Sequence, residues 1–229
     1  FISGSAPLLH ETHIQFEALS GHKILERYGM TETNMNTSNP YVGARKAGTV
    51  GLPLPGIEVI VTDPATGAPL PQGEIGQIEV RGPNVFKGYW NMPEKTAEEL
   101  RENGFFMTGD LGQIDKDGYV SIVGRDKDLI ISGGFNIYPK EIEELLDKQP
   151  GVLESAVIGI PHADFGETPL ALIVMEKGAI LDRNAIQSNI ATSLARFKHP
   201  SDVIEIASLP RNTMGKVQKK KHLLKQKLN

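Results

Sequence analysis

The sequence predicts a mixed chain, α/β and α+β in two parts, and three observations predict it. Between Gly48 and Asp117, short apolar runs alternate with Gly- and Pro-rich breaks, the texture of a small β-rich subdomain. At "GRDKDLI", Gly124–Ile130, a charged cluster separates two strand-like runs, as a linker does. Beyond it, helical and strand patterns alternate, which reads as a compact α+β domain over Asp128–Asn229.

The elements follow in order. "FISGSAPLL" reads as the end of a buried strand entering a turn. Leu8–Ser20 carries Leu9, Phe16 and Leu19 at helical spacing and stops at Gly21. "KILERYGMTE" reads as a strand leading to a turn. "IEVIVTD" alternates Ile57, Val59 and Val61, the period of a half-buried strand, and "TDPATGAPLPQGE" is turn chemistry. "GQIEVRG" and "GYVSIVG" repeat the strand pattern, and the charged stretch Pro93–Asn103 reads as a helix between them. In "YPKEIEELLDKQPG", Ile142, Leu145 and Leu146 share a helix face, with proline in the first turn and a Pro-Gly stop. "ESAVIGIP", "PLALIVM" and "VIEIASLP" are strands, and Asp182 can cap an amphipathic helix over Asp182–Arg196.

Composition narrows the function classes. A net charge of −4 does not fit a surface built as a whole for nucleic acid or anionic membrane. With no cysteine there is no disulfide framework and no cysteine nucleophile, and a structural zinc site is disfavoured. This fits a cytoplasmic protein. No apolar run approaches the ~18–20 residues of a membrane span. The chain opens on Phe1 with no basic n-region, so it is read as beginning inside a larger protein rather than with a secretion signal.

Four stretches could carry chemistry. In "PRNTMGKVQKKK", Pro210–Lys221, a phosphate-binding loop fails: the first position is Pro210, not glycine, and Val217 follows Lys216 where a hydroxyl is needed. Val217, Leu224 and Leu228 recur at helical spacing, so the lysines after 217 read as a solvated helix face. Lys216 differs, because it precedes that helix in a turn that Gly215 lets bend, where a loop can swing it onto a phosphate. In "RYGMTETNMN", Tyr28 offers a flat face to an aromatic base, Thr31 a hydroxyl to a phosphate and Glu32 a hard oxygen to Mg²⁺; the plainer reading is a strand end with a chance polar cluster. In "MTGDLG", Asp110 could bind both hydroxyls of a ribose from a turn after a strand, or simply brace that turn. In "GRDKDLIISGGFNIYP", Arg125 could pair with a ribose or phosphate, and Gly133-Gly134 permits close backbone approach or φ > 0; the plainer reading is a surface linker and a tight turn.

Taken together and in order, these stretches resemble the adenylate-forming superfamily of acyl-CoA synthetases, luciferases and adenylation domains. "SGSAPL" looks like the adenine-contacting turn (Gly4, Ser5, Ala6), "YGMTE" the signature turn, and "GTVGLPLPG" the glycine-proline motif. "TGD" looks like the ribose-binding aspartate, "GRDKDLIISGGFN" the hinge, and "PRNTMGK" the catalytic-lysine motif. The resemblance implies the end of a large AMP-binding domain with its β-subdomain over 1–124, a hinge over 125–128 pivoting at Lys127, and a small mobile domain over 129–229. It implies ATP, Mg²⁺ and coenzyme A, and two steps: a carboxylate attacks the α-phosphate of ATP, then the CoA thiol takes the acyl group. Tyr28 would stack on adenine, Thr31 hold phosphate, Glu32 bind Mg²⁺, Asp110 and Arg125 hold the ribose, and Lys216 neutralise charge in the first step. Gly133, Gly134 and Phe135 would line the thiol tunnel.

Within that superfamily "ERYGMTETNMNTSNPY" and "GPNVFKGYWNMPEKTAEEL" resemble the malonyl-CoA synthetases most, which implies a ligase of fatty acid metabolism. Arg27 stands where aryl and medium-chain ligases commonly carry a small residue. It could grip the second carboxylate of malonate through two parallel bonds, or form a plain salt bridge. The resemblance also implies control at Lys216 by a lysine acetyltransferase and deacetylase.

The family's Ser/Thr/Gly-rich phosphate loop has no counterpart here, so the chain is expected to be the C-terminal part of such an enzyme. It is expected to need the missing N-terminal portion of the same protein both for activity and to cover apolar surface on Phe1–Asp117. Two other classes stay open: a ligase for another short acid or a carrier-protein adenylation domain, and a non-catalytic interaction module docking through its lysine tail. Retention of Glu32, Asp110 and Lys216 together argues against the last.

Overall fold

The structure is a computed structural model that describes residues 1–4, 8, 10–213 and 215–219. It forms two compact units, Phe1–Asp126 and Lys127–Asn229. No helix among the described residues is long and apolar enough to cross a membrane.

The first unit holds two four-stranded sheets. One has the order β1 (Ile2–Ser3), β2 (Leu25–Met30), β3 (Asn34–Ser38), β4 (Leu52–Pro53), with β1 parallel to β2 and the rest antiparallel. Helix α1 (His10–Ser20) lies between β1 and β2 in the chain. Its expected apolar face is a correction: Leu19 is 90 % exposed, and the residue turned fully inward is His13, whose Nδ1 lies 3.1 Å from Glu26 Oε1. That buried polar pair, rather than Leu19, faces inward, and it gives Glu26 on β2 a partner away from water. Leu9 lies outside the described residues.

The second sheet is an antiparallel meander of β5 (Glu58–Thr62), β6 (Gly76–Arg81), β7 (Phe106–Ile114) and β8 (Val120–Arg125). Ile78, Val80 and Val120 are fully buried against Tyr28. On the opposite face of β6, Glu79 accepts from Thr62 and from two nitrogens of Arg101 at 2.7–2.8 Å. Helix α2 spans Pro93–Glu99, shorter than the Pro93–Asn103 the sequence predicts. The Asn103-Gly104 turn signal wins, and Arg101 leaves the helix to reach Glu79.

The linker expected over Gly124–Ile130 is also shorter. Gly124 and Arg125 complete β8, Ile130 opens β9 (Ile130–Ser132), and a 3₁₀ turn, Asp126–Asp128, stands between. The second unit builds one sheet in the order β10 (Phe135–Ile137), β9, β12 (Gly166–Met175), β11 (Val152–His162), with β13 (Asp202–Glu205) parallel to β12. Side chains of β12 alternate between two cores. Ala171 and Ile173 meet Ile142 and Leu146 of α3 (Pro139–Leu146) and Ile186 and Ile190 of α4 (Arg183–Ser193). Leu170, Leu172 and Val174 face the other way, where Leu209 and Val217 cover them. Burial on both faces explains why "PLALIVM" is continuously apolar. Asp182 caps α4 by accepting the Ala185 N–H at 3.0 Å.

Candidate functional site

Asp110 does not follow a strand as a turn residue; it sits inside β7, and this corrects the sequence expectation. Gln77 pairs with Leu111 and Glu79 with Met107, so Thr108–Asp110 oppose the single residue Ile78 as a bulge. Thr108 fastens the bulge, donating its hydroxyl to the Ile78 carbonyl at 2.8 Å and accepting the Asp110 N–H at 3.1 Å. Register then places Arg125 of β8 directly across from Asp110, with Nε 3.3 Å from Oδ1. From β2, the Tyr28 hydroxyl donates to Asp110 Oδ2 at 2.6 Å. Burial, with the Asp110 carboxylate beside it, holds the Tyr28 phenol proton well above its usual range, so Tyr28 is a fixed donor. Tyr28 is 8 % exposed and packs on Ile78, Val80 and Val120. The result is a nearly buried carboxylate whose two oxygens are aimed by a phenol and a guanidinium, a geometry suited to a vicinal diol.

Thr31 and Glu32 form the turn between β2 and β3. Gly29 makes that turn fit: a Cβ there would lie 1.9 Å from the Asn34 carbonyl oxygen. Thr31 is exposed and Glu32 half-buried. The turn is held from outside by residues that sequence reasoning missed. Phe86 N–H donates to the Glu32 carbonyl at 2.8 Å, and Asn84 Nδ2 donates to the Thr33 and Met35 carbonyls and to Asn36 Oδ1. The Tyr89 hydroxyl lies 2.6 Å from Glu99 Oε2 and 3.2 Å from Glu32 Oε1. Burial first, and the two carboxylates next, keep Tyr89 protonated. Their only sequence signal is the polar and aromatic content of "GPNVFKGYW".

Among the described residues no group of three or more His, Cys, Asp or Glu side chains could hold a metal. Glu32 nevertheless suits Mg²⁺, which takes one or two carboxylates and completes its shell with substrate phosphates and water.

Gly4 follows β1 beside Arg27; a Cβ on it would lie 2.8 Å from Arg27 Cγ, and the Arg27 residue is exposed. Ser5 and Ala6 lie outside the described residues.

In the second unit Lys127 is exposed in the 3₁₀ turn. Gly133 and Gly134, at φ +56° and +85°, are the two-residue turn of the β9–β10 hairpin, which requires φ > 0 at both places. Phe135 begins β10, and its ring stacks on Phe197 at 4.7 Å. Lys216 is exposed near the tip of a second hairpin, where Arg211 bridges Val217 and Gln218 N–H donates to the Pro210 carbonyl at 2.7 Å. The turn closes through Gly215 N–H to the Asn212 carbonyl at 3.0 Å and Lys216 N–H to Asn212 Oδ1 at 2.9 Å. The expected solvated face does not include Lys219, which pairs with Glu143 at 2.6 Å. Lys220 onward lies outside the described residues.

Residues 1–90 match the family model of the AMP-binding enzymes, and residues 141–216 match that of the AMP-binding enzyme C-terminal domain. A malonate–CoA ligase of Arabidopsis thaliana is 42 % identical over 96 % of this chain and 37 % of its own length. A long-chain-fatty-acid–CoA ligase of Bacillus subtilis is 39 % identical over 97 % of this chain and 40 % of its own. The crystal structure of ATP-bound MatB from Rhodopseudomonas palustris is 62 % identical, with a TM-score of 0.94 over 99 % of this chain and 45 % of that one. The chain thus spans about two fifths of the length of the curated relatives it matches. Two family models in the expected order, and a shared fold at high identity, lead to one conclusion: the chain belongs to the AMP-binding enzyme family.

Proposed function

We propose that this chain carries the nucleotide-binding edge and the catalytic lysine of an ATP-dependent acid–thiol ligase that converts malonate, ATP and CoA to malonyl-CoA, AMP and pyrophosphate through malonyl-adenylate. The observation that carries the reading is the Tyr28–Asp110–Arg125 constellation, a nearly buried carboxylate aimed from β8 beside it and from β2 of the other sheet. Asp110 binds the ribose hydroxyls, Tyr28 packs against adenine with Gly4, Ser5 and Ala6, and Arg125 steadies Asp110. Thr31 donates to the α-phosphate. Glu32 would hold Mg²⁺, which supplies Lewis-acid neutralisation of phosphate charge when bound.

The first step brings two anions together, so a cation at their meeting point lowers its barrier more than it stabilises either reactant. Lys216 supplies that cation. Turning at Lys127 then withdraws it and presents Gly133, Gly134 and Phe135 to the CoA thiol. Arg27 grips the distal carboxylate of malonate. Acetylation of Lys216 by a lysine acetyltransferase removes the charge that the first step needs and spares the second, and a deacetylase restores it. Cytoplasmic placement and a role in fatty acid metabolism belong to the same proposal.

The test uses the complete enzyme that carries this chain. Lys216→Ala is expected to lower malonate-dependent ATP–pyrophosphate exchange at least ~10²-fold, the scale of one lost charge-stabilising donor. Thioester formation from preformed malonyl-adenylate is expected to persist. If both half-reactions fall together, the division of roles is wrong.

A further inference from the structure

The hairpin that presents Lys216 is pinned on both legs by carboxylates that the roles above do not use. On the first leg, the Arg211 guanidinium donates to Glu154 of β11 and, at 2.7 Å, to the Gly215 carbonyl within its own turn. On the second leg, the Lys219 ammonium donates to Glu143 Oε1 at 2.6 Å. Glu143 is itself fixed: the same oxygen accepts the Val157 N–H at 2.7 Å, and its side chain is 15 % exposed. Between the pins, Val217 rests with Leu209 on the apolar face made by Ala156, Ile158 and Leu172. Lys216 therefore extends from a turn flanked on both sides by residues that are charge-paired to the frame of the second unit.

We propose that Glu143 and Glu154 are positioning residues for Lys216. They give the hairpin one shape before substrate arrives, so the ammonium need not also order its backbone when it meets an anionic centre. Ordering a loop costs conformational entropy at each residue, and a pre-formed turn has already met that cost during folding. This inference rests on the reading of Lys216 as the adenylation lysine, and adds that its reach depends on two remote carboxylates.

The experiment takes Glu143→Gln, Glu154→Gln and the double variant in the complete enzyme and follows each half-reaction separately. Each single variant is expected to lower the turnover of ATP–pyrophosphate exchange about three- to fivefold, and the double variant about tenfold, the scale of partly exposed ion pairs. KM for ATP and acid, and thioester formation from preformed acyl-adenylate, are expected to stay within about twofold, since neither needs the lysine in place. A second measurement does not depend on activity: in this chain, amide hydrogen exchange at Lys216 and Gln218, both hydrogen-bonded within the hairpin, is expected to quicken in the glutamine variants. Parallel loss of both half-reactions, or unchanged exchange at these amides, would overturn the proposal. Lys216→Ala separates the two readings. If it leaves pyrophosphate exchange intact, Lys216 has no such role and the inference falls with it. If it abolishes exchange while both glutamine variants run at the parent rate, the role of Lys216 stands and the positioning role is refuted.

Discussion

Asp147→Asn is expected to stabilise the second unit at neutral pH and to have almost no effect in acid. Asp147 closes the C-terminal end of α3, where the helix dipole already disfavours negative charge. Burial pushes its carboxyl up from 3.8 to about 6; the Ser155 hydroxyl, donating at 2.7 Å, opposes the rise, and Glu143 and Glu154 add to it. The native state therefore holds this proton more tightly than the unfolded chain. The stability so gained is complete below the unfolded value near 4 and is lost as pH rises through about 6. A rise of that size is worth about 3 kcal/mol, and partial exposure of the side chain reduces it to about 1–2 kcal/mol. Asparagine keeps an acceptor for Ser155 and cannot ionise. The difference in unfolding free energy between variant and parent should then grow from near zero at pH 4 to about 1–2 kcal/mol at pH 7. Because the chain has two units, a single global transition is a poor readout. Urea unfolding followed through the methyl signals of Ile142 and Ile173, both in the core beside Asp147's helix, reports the right unit. A difference constant from pH 4 to 8, or a variant that loses stability as pH rises, would refute the argument.

Three further expectations concern the first unit. Arg101→Ala strands Glu79, 1 % exposed, with only the Thr62 hydroxyl, and should cost about 3–5 kcal/mol in urea unfolding read at Ile78 and Val80. Adding Glu79→Gln should recover part of it. Tyr28→Phe removes a 2.6 Å bond to an ionised acceptor and should weaken AMP binding to the complete enzyme by about tenfold or more in titration calorimetry, with the fold retained. Arg27→Ala in the complete enzyme should reduce kcat/KM for malonate about a hundredfold more than for butyrate; equal losses would remove Arg27 from the acyl pocket.

What could be read from the sequence is what periodicity and turn chemistry encode locally. Ile57, Val59 and Val61 declared β5, the Ile142–Leu146 face declared α3, and Asp182 declared the start of α4. Strand β3 was hidden because "NMNTS" is polar. It is a strand because it pairs with β2 on one side and β4 on the other, and its Thr37 hydroxyl donates to the Val50 carbonyl at 2.7 Å. The inward turn of His13 was equally hidden, since it depends on Glu26 from another element. For the candidate site, residue types were legible and their supports were not. Asp110 could be named, but its bulge is a matter of register between β6 and β7. Asn84 and Tyr89 act on a turn far back in the chain, and no local pattern announces such a bond.

One carboxylate in the second unit carries a further meaning. Strand β11 is eleven residues long, and among the described residues β12 is its only strand partner. An outer strand of that length offers its outward amides as a template on which another molecule could add a strand and begin a fibril. Glu143 occupies the Val157 amide from the side, and Lys219 stands charged beside it. An incoming backbone would have to evict both, so the contact that steadies a hairpin also guards solubility.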